Sequence, residues 1–252
     1  MRSIALTGAA SGLGAALRQR LEADGCRVVG VDLSGSDIDA DLATAKGRRH
    51  AANLIVEATG GTLNGVALCA GIGPPSDPVR MVSVNYFGAI ELLDALTPAL
   101  ATGSPSYVVA ISSNSITLVP EAEALVRACL DGDENAARAR AEALDSSVVY
   151  ANSKRAVARA VRRRAGNLGA AGIRCNAVAP GPFASPLLQA TLDDPVLGGL
   201  VDALPSPFAR RATPDEVASA VLFLLSDAAA NMHGSLMFVD GGIDAQLRPD
   251  AI

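Results

Sequence analysis

Thr7-Gly8-Ala9-Ala10-Ser11-Gly12-Leu13-Gly14 follows directly on the apolar run Ile4-Ala5-Leu6, near the start of a chain of 252 residues. A strand that turns sharply into a helix leaves the first N–H groups of that helix unpaired. They form an electropositive end suited to a pyrophosphate. Gly8 permits the tight turn and Gly12 lets the backbone approach the phosphates. Gly14 lets the following helix, Ala15 to about Ala23, lie close on the sheet. The spacing is Gly-x3-Gly-x-Gly, not the Gly-x-Gly-x-x-Gly of the standard dinucleotide fingerprint, so the turn needs support from elsewhere in the chain.

That support begins at Arg27-Val28-Val29-Gly30-Val31-Asp32. It reads as a buried parallel strand ending in a carboxylate, about twenty residues past the glycines. An acid there accepts hydrogen bonds from adenosine ribose hydroxyls and repels a 2′-phosphate. Neither Leu33 nor Ser34 supplies a cation, and Ser11 rather than Arg or Lys precedes Gly12. The pattern predicts NAD as cofactor, in preference to NADP.

Apolar β-like runs at 3–7, 27–32, 64–70, 106–112, 173–179 and 236–240 alternate with helical patterns. This predicts an α/β fold: a doubly wound, Rossmann-type parallel sheet with helices on both faces. No linker or internal repeat divides the chain, so 1–252 is expected to be a single dinucleotide-binding catalytic domain. Asp39-Ala40-Asp41-Leu42 is expected to form only a short strand. Helices are expected at about 43–59, 78–100, 148–168 and 213–226. The last starts at Thr213-Pro214-Asp215-Glu216, with Thr as N-cap, Pro first in the helix and Glu in the capping-box position.

Two segments depart from the alternation. Residues 116–148, rich in Ala, Glu and Arg around Asp131-Gly132-Asp133, suggest a small helical insertion. Residues 182–212 interleave five prolines with Leu187, Leu188, Leu192, Leu197 and Leu200, the composition of a partly helical substrate flap with an apolar underside.

Half of the residues are hydrophobic, enough for one well-buried α/β domain. No apolar stretch is long enough to span a bilayer. A first strand starting almost at Met1 leaves no room for a signal peptide. Cys26, Cys69, Cys129 and Cys175 lack metal-like spacing and read as reduced core thiols of a cytoplasmic protein. His50 and His233 are too isolated for a metal site, and none is expected. A net charge of −5 argues against nucleic acid as a partner. The basic cluster Arg155, Arg159 and Arg162 to Arg164 is expected on a solvated or subunit-facing side of its helix.

Tyr150-Ala151-Asn152-Ser153-Lys154 carries the chemistry. Tyr and Lys four apart on a helix project from one face. A free tyrosine hydroxyl, with a pKa of about 10, is a poor proton acceptor at neutral pH. A nearby ammonium stabilises the phenolate and is expected to draw that pKa down. Val108-Val109-Ala110-Ile111-Ser112-Ser113 is a buried strand delivering a hydroxyl at its C-terminal end, where ligands bind in open α/β sheets. Asn85 lies in an otherwise buried helical pattern, so its amide needs a partner; a water chain to Lys154 is the expected one.

With these residues in place the chain resembles the short-chain dehydrogenases/reductases almost from end to end. The resemblance rests on the Thr7–Gly14 turn, Asp41-Leu42, Leu68-Cys69-Ala70-Gly71, Asn85, Ser113, Tyr150-x3-Lys154, Ile173-Arg174-Cys175-Asn176 and Pro180-Gly181. It implies Tyr150 as general acid/base and Ser113 as the group holding the substrate oxygen. Lys154 then lowers the Tyr pKa and bonds the nicotinamide ribose, and Asn85 supports a proton relay. By the same mapping Asp41 and Leu42 flank the adenine, Gly71 lies along the cofactor, and Pro180 and Gly181 complete its site. A small-molecule substrate and a homodimer or homotetramer are implied as well.

Within the family the chain is similar to the bacterial 3α-hydroxysteroid dehydrogenase/carbonyl reductase branch, most tellingly in Val239-Asp240-Gly241-Gly242-Ile243-Asp244-Ala245-Gln246-Leu247-Arg248-Pro249. Coniferyl-alcohol dehydrogenases share much of that look. The long insertion between Ser113 and Tyr150 matches the steroid-active branch. The expected substrate is a bulky apolar secondary alcohol or its ketone, such as a 3α-hydroxysteroid, with an aromatic or other alcohol as the alternative. An NAD-binding protein without catalysis would lack one of Asn85, Ser113, Tyr150 and Lys154, and all four are present.

Overall fold

Ile4, Ala5 and Leu6 are wholly buried in β1 (Ser3–Thr7), which turns into α1 (Gly12–Ala23). The protein is described by a computed structural model, over residues 1–251. β2 (Arg27–Asp32), β3 (Ile38–Asp39), α2 (Ala45–Thr59) and β4 (Gly65–Leu68) follow. A long helical stretch then consists of α3 (Pro78–Val82), a wide π-helical turn over Ser83–Gly88, and α4 (Ala89–Thr102). β5 (Ser106–Ile111) leads into α5 (Ser115–Leu118), α6 (Glu123–Leu130), α7 (Glu134–Glu142) and α8 (Ser146–Ala170). The chain continues through β6 (Ile173–Pro180), α9 (Pro186–Leu192), α10 (Leu197–Asp202), α11 (Pro214–Leu224), β7 (Leu236–Val239) and α12 (Ile243–Leu247).

All strand pairs are parallel, in the order β3-β2-β1-β4-β5-β6-β7. The direction of strand addition reverses between β1 and β4, which opens a crevice at their C-terminal ends. β4 and β5 are buried along their whole length, as a sheet covered on both faces requires. One core, around Val66, Leu92, Leu93, Val108, Val157 and Val161, lies under α2, α4 and α8. The other, around Leu6, Leu17, Val109, Val217 and Val221, lies under α1 and α11.

Most expected elements appear near their expected bounds, and the differences have local causes. The short strand occupies Ile38–Asp39 rather than Asp39–Leu42, because Asp41 leaves the ladder to accept the Ala43 N–H at 2.9 Å. Thr44 then caps α2 through the Gly47 N–H. The helix expected over 78–100 is interrupted by the π turn. There the Asn85 amide is drawn out to the backbone of Ile72, with Ile72 N donating at 2.9 Å and Ile72 O accepting at 3.0 Å. The capping box at Thr213 and Glu216 is formed as read.

The segment between Ser113 and Tyr150 folds into three short helices. Arg48, 2 % exposed, binds them to the body of the fold: it reaches Glu134 on α7 at 2.5 Å and Glu91 on α4 at 2.7 Å. Among the described residues no helix is long and apolar enough to cross a membrane.

Candidate active site

The Gly8–Gly14 turn sits at the crevice and is tightly enclosed. A Cβ on Gly14 would lie 1.9 Å from the Gly8 carbonyl oxygen, and one on Gly8 would lie 2.9 Å from Ala70 N. Gly8 and Gly12 both have positive φ, a conformation open to glycine. Ser11 is the N-cap of α1 but makes no side-chain cap hydrogen bond, so the start of α1 is left facing the cleft. Thr7 Oγ1 accepts from Ala70 N at 3.0 Å and so joins the turn to the loop after β4.

The cleft has a volume of about 680 Å³, within the range of small-molecule and cofactor sites. Ser11, Gly12, Leu13, Gly14, Asp32, Asp41, Leu42 and Gly71 line it, together with Ser113, Tyr150, Lys154, Pro180 and Gly181. Ala9 and Ala10, also expected at the cofactor, do not. Ala9 is buried in the core, and Ala10 gives its N–H to Asp32 Oδ2 at 2.9 Å. The other Asp32 oxygen accepts from Leu33 N at 2.7 Å, so the carboxylate is oriented by its own turn and keeps lone pairs toward the cleft.

Arg80 was not singled out from the sequence, yet it lines the cleft beside Asp41 and Leu42. Its guanidinium forks onto Asp41 at 3.0 and 3.1 Å, so this cation is already matched by a carboxylate. Nothing in the local pattern joins Arg80 to Asp41, which lie 39 residues apart.

At the other end of the cleft α8 is fixed against β5. Ser112 Oγ donates to Lys154 O at 2.9 Å, and Lys154 Nζ donates to Ile111 O at 2.9 Å. Ser113 Oγ accepts from Ser115 N at 3.2 Å, which leaves its proton for another oxygen. Burial lowers the Lys154 pKa to about 8, partly offset by the neighbouring Cys69. Burial raises the Tyr150 pKa, and a hydrogen bond with Ser113 acts against it. The expectation of a lowered Tyr150 is therefore reversed in the chain by itself. The reason is desolvation: the phenol, set into the cleft wall and only partly exposed, loses more by leaving water than Ser113 returns.

Asn85 does not line the cleft. Besides Ile72, its amide donates to Ser153 Oγ at 3.2 Å, and it reaches the site through Gly71. A Cβ on Gly71 would lie 3.1 Å from Lys154 Nζ and 3.2 Å from Asn85 Oδ1. Nothing in the local sequence marks Asn114 and Ser115. Both line the cleft, and Asn114 Nδ2 and Ser115 Oγ are buried without a hydrogen-bond partner among the described residues. A buried polar group left unmatched costs about 1–3 kcal/mol, so this end of the cleft favours a ligand that carries polar atoms.

Over the far side, Leu187, Leu188, Leu197, Leu200, Val201 and Leu204 form an apolar wall from α9, α10 and their flanks. Thr191 Oγ1 donates to Pro74 O at 2.9 Å, and a Cβ on Gly73 would meet Leu187 at 2.8 Å. The segment rises from a bridge between Phe183 and Ala212.

The chain is 44% identical over 255 residues to a 3-alpha-hydroxysteroid dehydrogenase/carbonyl reductase of Comamonas testosteroni, covering 99% of each. The chain belongs to the short-chain dehydrogenase/reductase family. It is also 33% identical over 261 residues to a cis-4-hydroxycyclohexanecarboxylate dehydrogenase of Sinomonas cyclohexanicum, covering 97% of each. The solved structure of a 3-alpha-hydroxysteroid dehydrogenase from Pseudomonas sp. B-0831, complexed with NADH, superposes with a TM-score of 0.96 at 41% identity, covering 99% of this chain and 100% of that one. Residues 135–244 match a family model described as enoyl-(acyl carrier protein) reductase. As a member of the short-chain dehydrogenase/reductase family, the chain is an oxidoreductase acting on alcohol and carbonyl groups.

The basic cluster on α8 is placed in part as expected. Arg155 is half-buried and bonded to the backbone carbonyls of Ile116 and Val119, Arg159 pairs with Glu121, and Arg164 pairs with Asp94. Arg159, Arg162 and Arg163 are exposed, as the solvated reading expects, whereas Arg155 and Arg164 are drawn in by carbonyls and a carboxylate that local sequence does not reveal.

Proposed function

We propose that the chain interconverts a bulky, largely apolar secondary alcohol and its ketone with NAD, and that a 3α-hydroxysteroid is the substrate type. The observation that carries the reading is a single cleft with Ser113, Tyr150 and Lys154 at one end, an uncapped glycine-rich helix start at the other, and an apolar wall above. The residues present fit NAD: the turn excludes side chains where phosphates approach, and Asp32 meets the ribose with a carboxylate. Arg80, the cation nearest in kind to a 2′-phosphate partner, is bound to Asp41.

The Gly8–Gly14 turn and Asp32 would hold NAD, which would supply the hydride acceptor for the carbinol carbon. Ser113 donates its proton to the substrate oxygen and fixes its position. Tyr150 takes the hydroxyl proton at its phenolic oxygen, and returns it in the direction of ketone reduction. Lys154 supplies positive charge at the same end of the cleft, and Gly71 keeps the ground between Lys154 and Asn85 clear. The segment 182–212 acts as the flap that excludes water from the transfer. Support for the steroid type comes from the relative in Comamonas testosteroni and from the apolar character of the wall. We place the enzyme in the cytoplasm, as a homodimer or homotetramer.

The test is NADH formation from NAD with a 3α-hydroxysteroid, its 3β epimer, coniferyl alcohol and cyclohexanol. Selective oxidation of the 3α epimer is expected. Turnover of only the smaller alcohols would discard the steroid type and keep the mechanism, and no turnover at all would discard both.

A further inference from the structure

α8 bears two sets of side chains on opposite faces. At about 100° per residue, Tyr150 and Lys154 lie together, while Asn152, Arg155 and Arg159 lie roughly 140–200° round the helix from Tyr150. The first set faces the cleft. The second holds residues 116–122, the strap that starts just after Ser113 and crosses the helix.

The grip is made of directed bonds to main-chain groups. Asn152 Oδ1 accepts from Ala122 N at 2.9 Å, and Asn152 Nδ2 donates to Pro120 O at 3.1 Å. Arg155 Nη2 donates to Val119 O at 2.6 Å and also to Ile116 O. Arg155 in turn bonds Asn152 Oδ1, so the two side chains act as one unit. Arg159 then forks onto Glu121 at 2.5 and 2.7 Å, on the exposed side.

Ala122 at the far end of the strap packs on the core and opens α6, but the stretch before it has weak structure of its own. α5 is four residues long, makes no side-chain cap and has no fully buried residue. A helix of that length has no stability of its own. Yet Leu118 and Val119 on this strap line the same cleft as the apolar wall of α9 and α10.

We propose that Asn152 and Arg155 are positioning residues that set the substrate-side wall formed by Leu118 and Val119, and so set the preference for bulky over small alcohols. The proposal rests on the alcohol-oxidising reading above. The helix that carries the proton acceptor also carries the clamp for the wall, so the distance between reacting oxygen and wall is held by one rigid element. A large apolar alcohol needs that wall in place, whereas a small one reaches Ser113 and Tyr150 without it.

The experiment compares Arg155→Met, Arg155→Lys and Asn152→Ala with the unaltered protein. Steady-state oxidation is measured with a 3α-hydroxysteroid and with cyclohexanol, alongside amide hydrogen exchange over 116–122. In Arg155→Met, KM for the steroid is expected to rise about tenfold, with kcat/KM for cyclohexanol kept within about twofold. Arg155→Lys, with one donor end for two carbonyls, is expected to fall between. The Ala122 amide is expected to exchange faster in Asn152→Ala, because its acceptor is gone. Equal losses for both alcohols would show a general injury to α8 and overturn the proposal, as would an unchanged steroid KM. If the unaltered protein oxidises no alcohol, the functional reading falls by itself. Exchange then still decides the clamp, and unchanged protection of 116–122 in both Arg155→Met and Asn152→Ala would sink it.

Discussion

Lys154 gives the sharpest test of the site, because its charge is held in a place that opposes it. Burial brings its pKa from 10.5 to about 8. In the unfolded chain the amine keeps its proton up to the higher value. Between the two values the unfolded state binds more protons than the folded one, so stability must rise with pH in that window. From pH 7 to 9.5 the gain works out at about 2 kcal/mol. Tyr150, raised above 10, has its window at higher pH and leaves this range clear. Cys69, pushed up to about 12 by burial, stays neutral throughout. The assay is urea unfolding of the native protein and of Lys154→Met at several pH values across the range, at constant ionic strength. Losing the bond to Ile111 O shifts the variant by a constant amount. The pH dependence of the difference isolates the amine, and the variant's relative stability is expected to fall by about 2 kcal/mol from pH 7 to 9.5. A difference that stays flat would refute the reasoning. Below pH 8 the fold retains a charge at its own expense, which is expected of a group selected for what it does to a ligand.

Tyr150→Phe is expected to lower kcat by about 10²–10⁴-fold while NADH binding, followed by fluorescence, is retained. Near-normal turnover would remove Tyr150 from the mechanism. For Asp32→Ala, the ratio of NAD to NADP efficiency is expected to fall by about tenfold or more, through loss of the ribose acceptor and of the repulsion toward a 2′-phosphate. Kinetics with both cofactors decide it, and an unchanged ratio would shift the discrimination to Arg80. Gly14→Ala places a methyl 1.9 Å from the Gly8 carbonyl oxygen, so the turn must open. Cofactor affinity is expected to drop by about a hundredfold or more, together with a lower Tm, since no small side-chain motion relieves a backbone clash.

Much of this protein is written in short-range pattern. The alternation of apolar runs and helical stretches sets the order of strands and helices, because a buried parallel strand must be apolar on both faces. The glycine turn is legible because only glycine tolerates positive φ and backbone contact at once, as at Gly8 beside Ala70. The four-residue spacing of Tyr150 and Lys154 places them on one helical face wherever the helix goes. The capping box at Thr213 likewise needs nothing beyond its own first turn.

Other features depend on segments that meet only in space. Arg80 finds Asp41 across 39 residues, Arg48 finds Glu134 across 86, and the α8 arginines find the strap and α4; no periodicity announces these pairs. Asn85 is legible as a buried amide, but that it turns to the Ile72 backbone follows from the loop after β4 passing the π turn. The direction of the Tyr150 shift was beyond the sequence for the same reason. Spacing puts an ammonium near a phenol, whereas the degree to which both are stripped of water is fixed by α8 seated against β5. Local order is decided by bonds between near neighbours in the chain, and the chemistry of this cleft by which distant groups are brought together out of water.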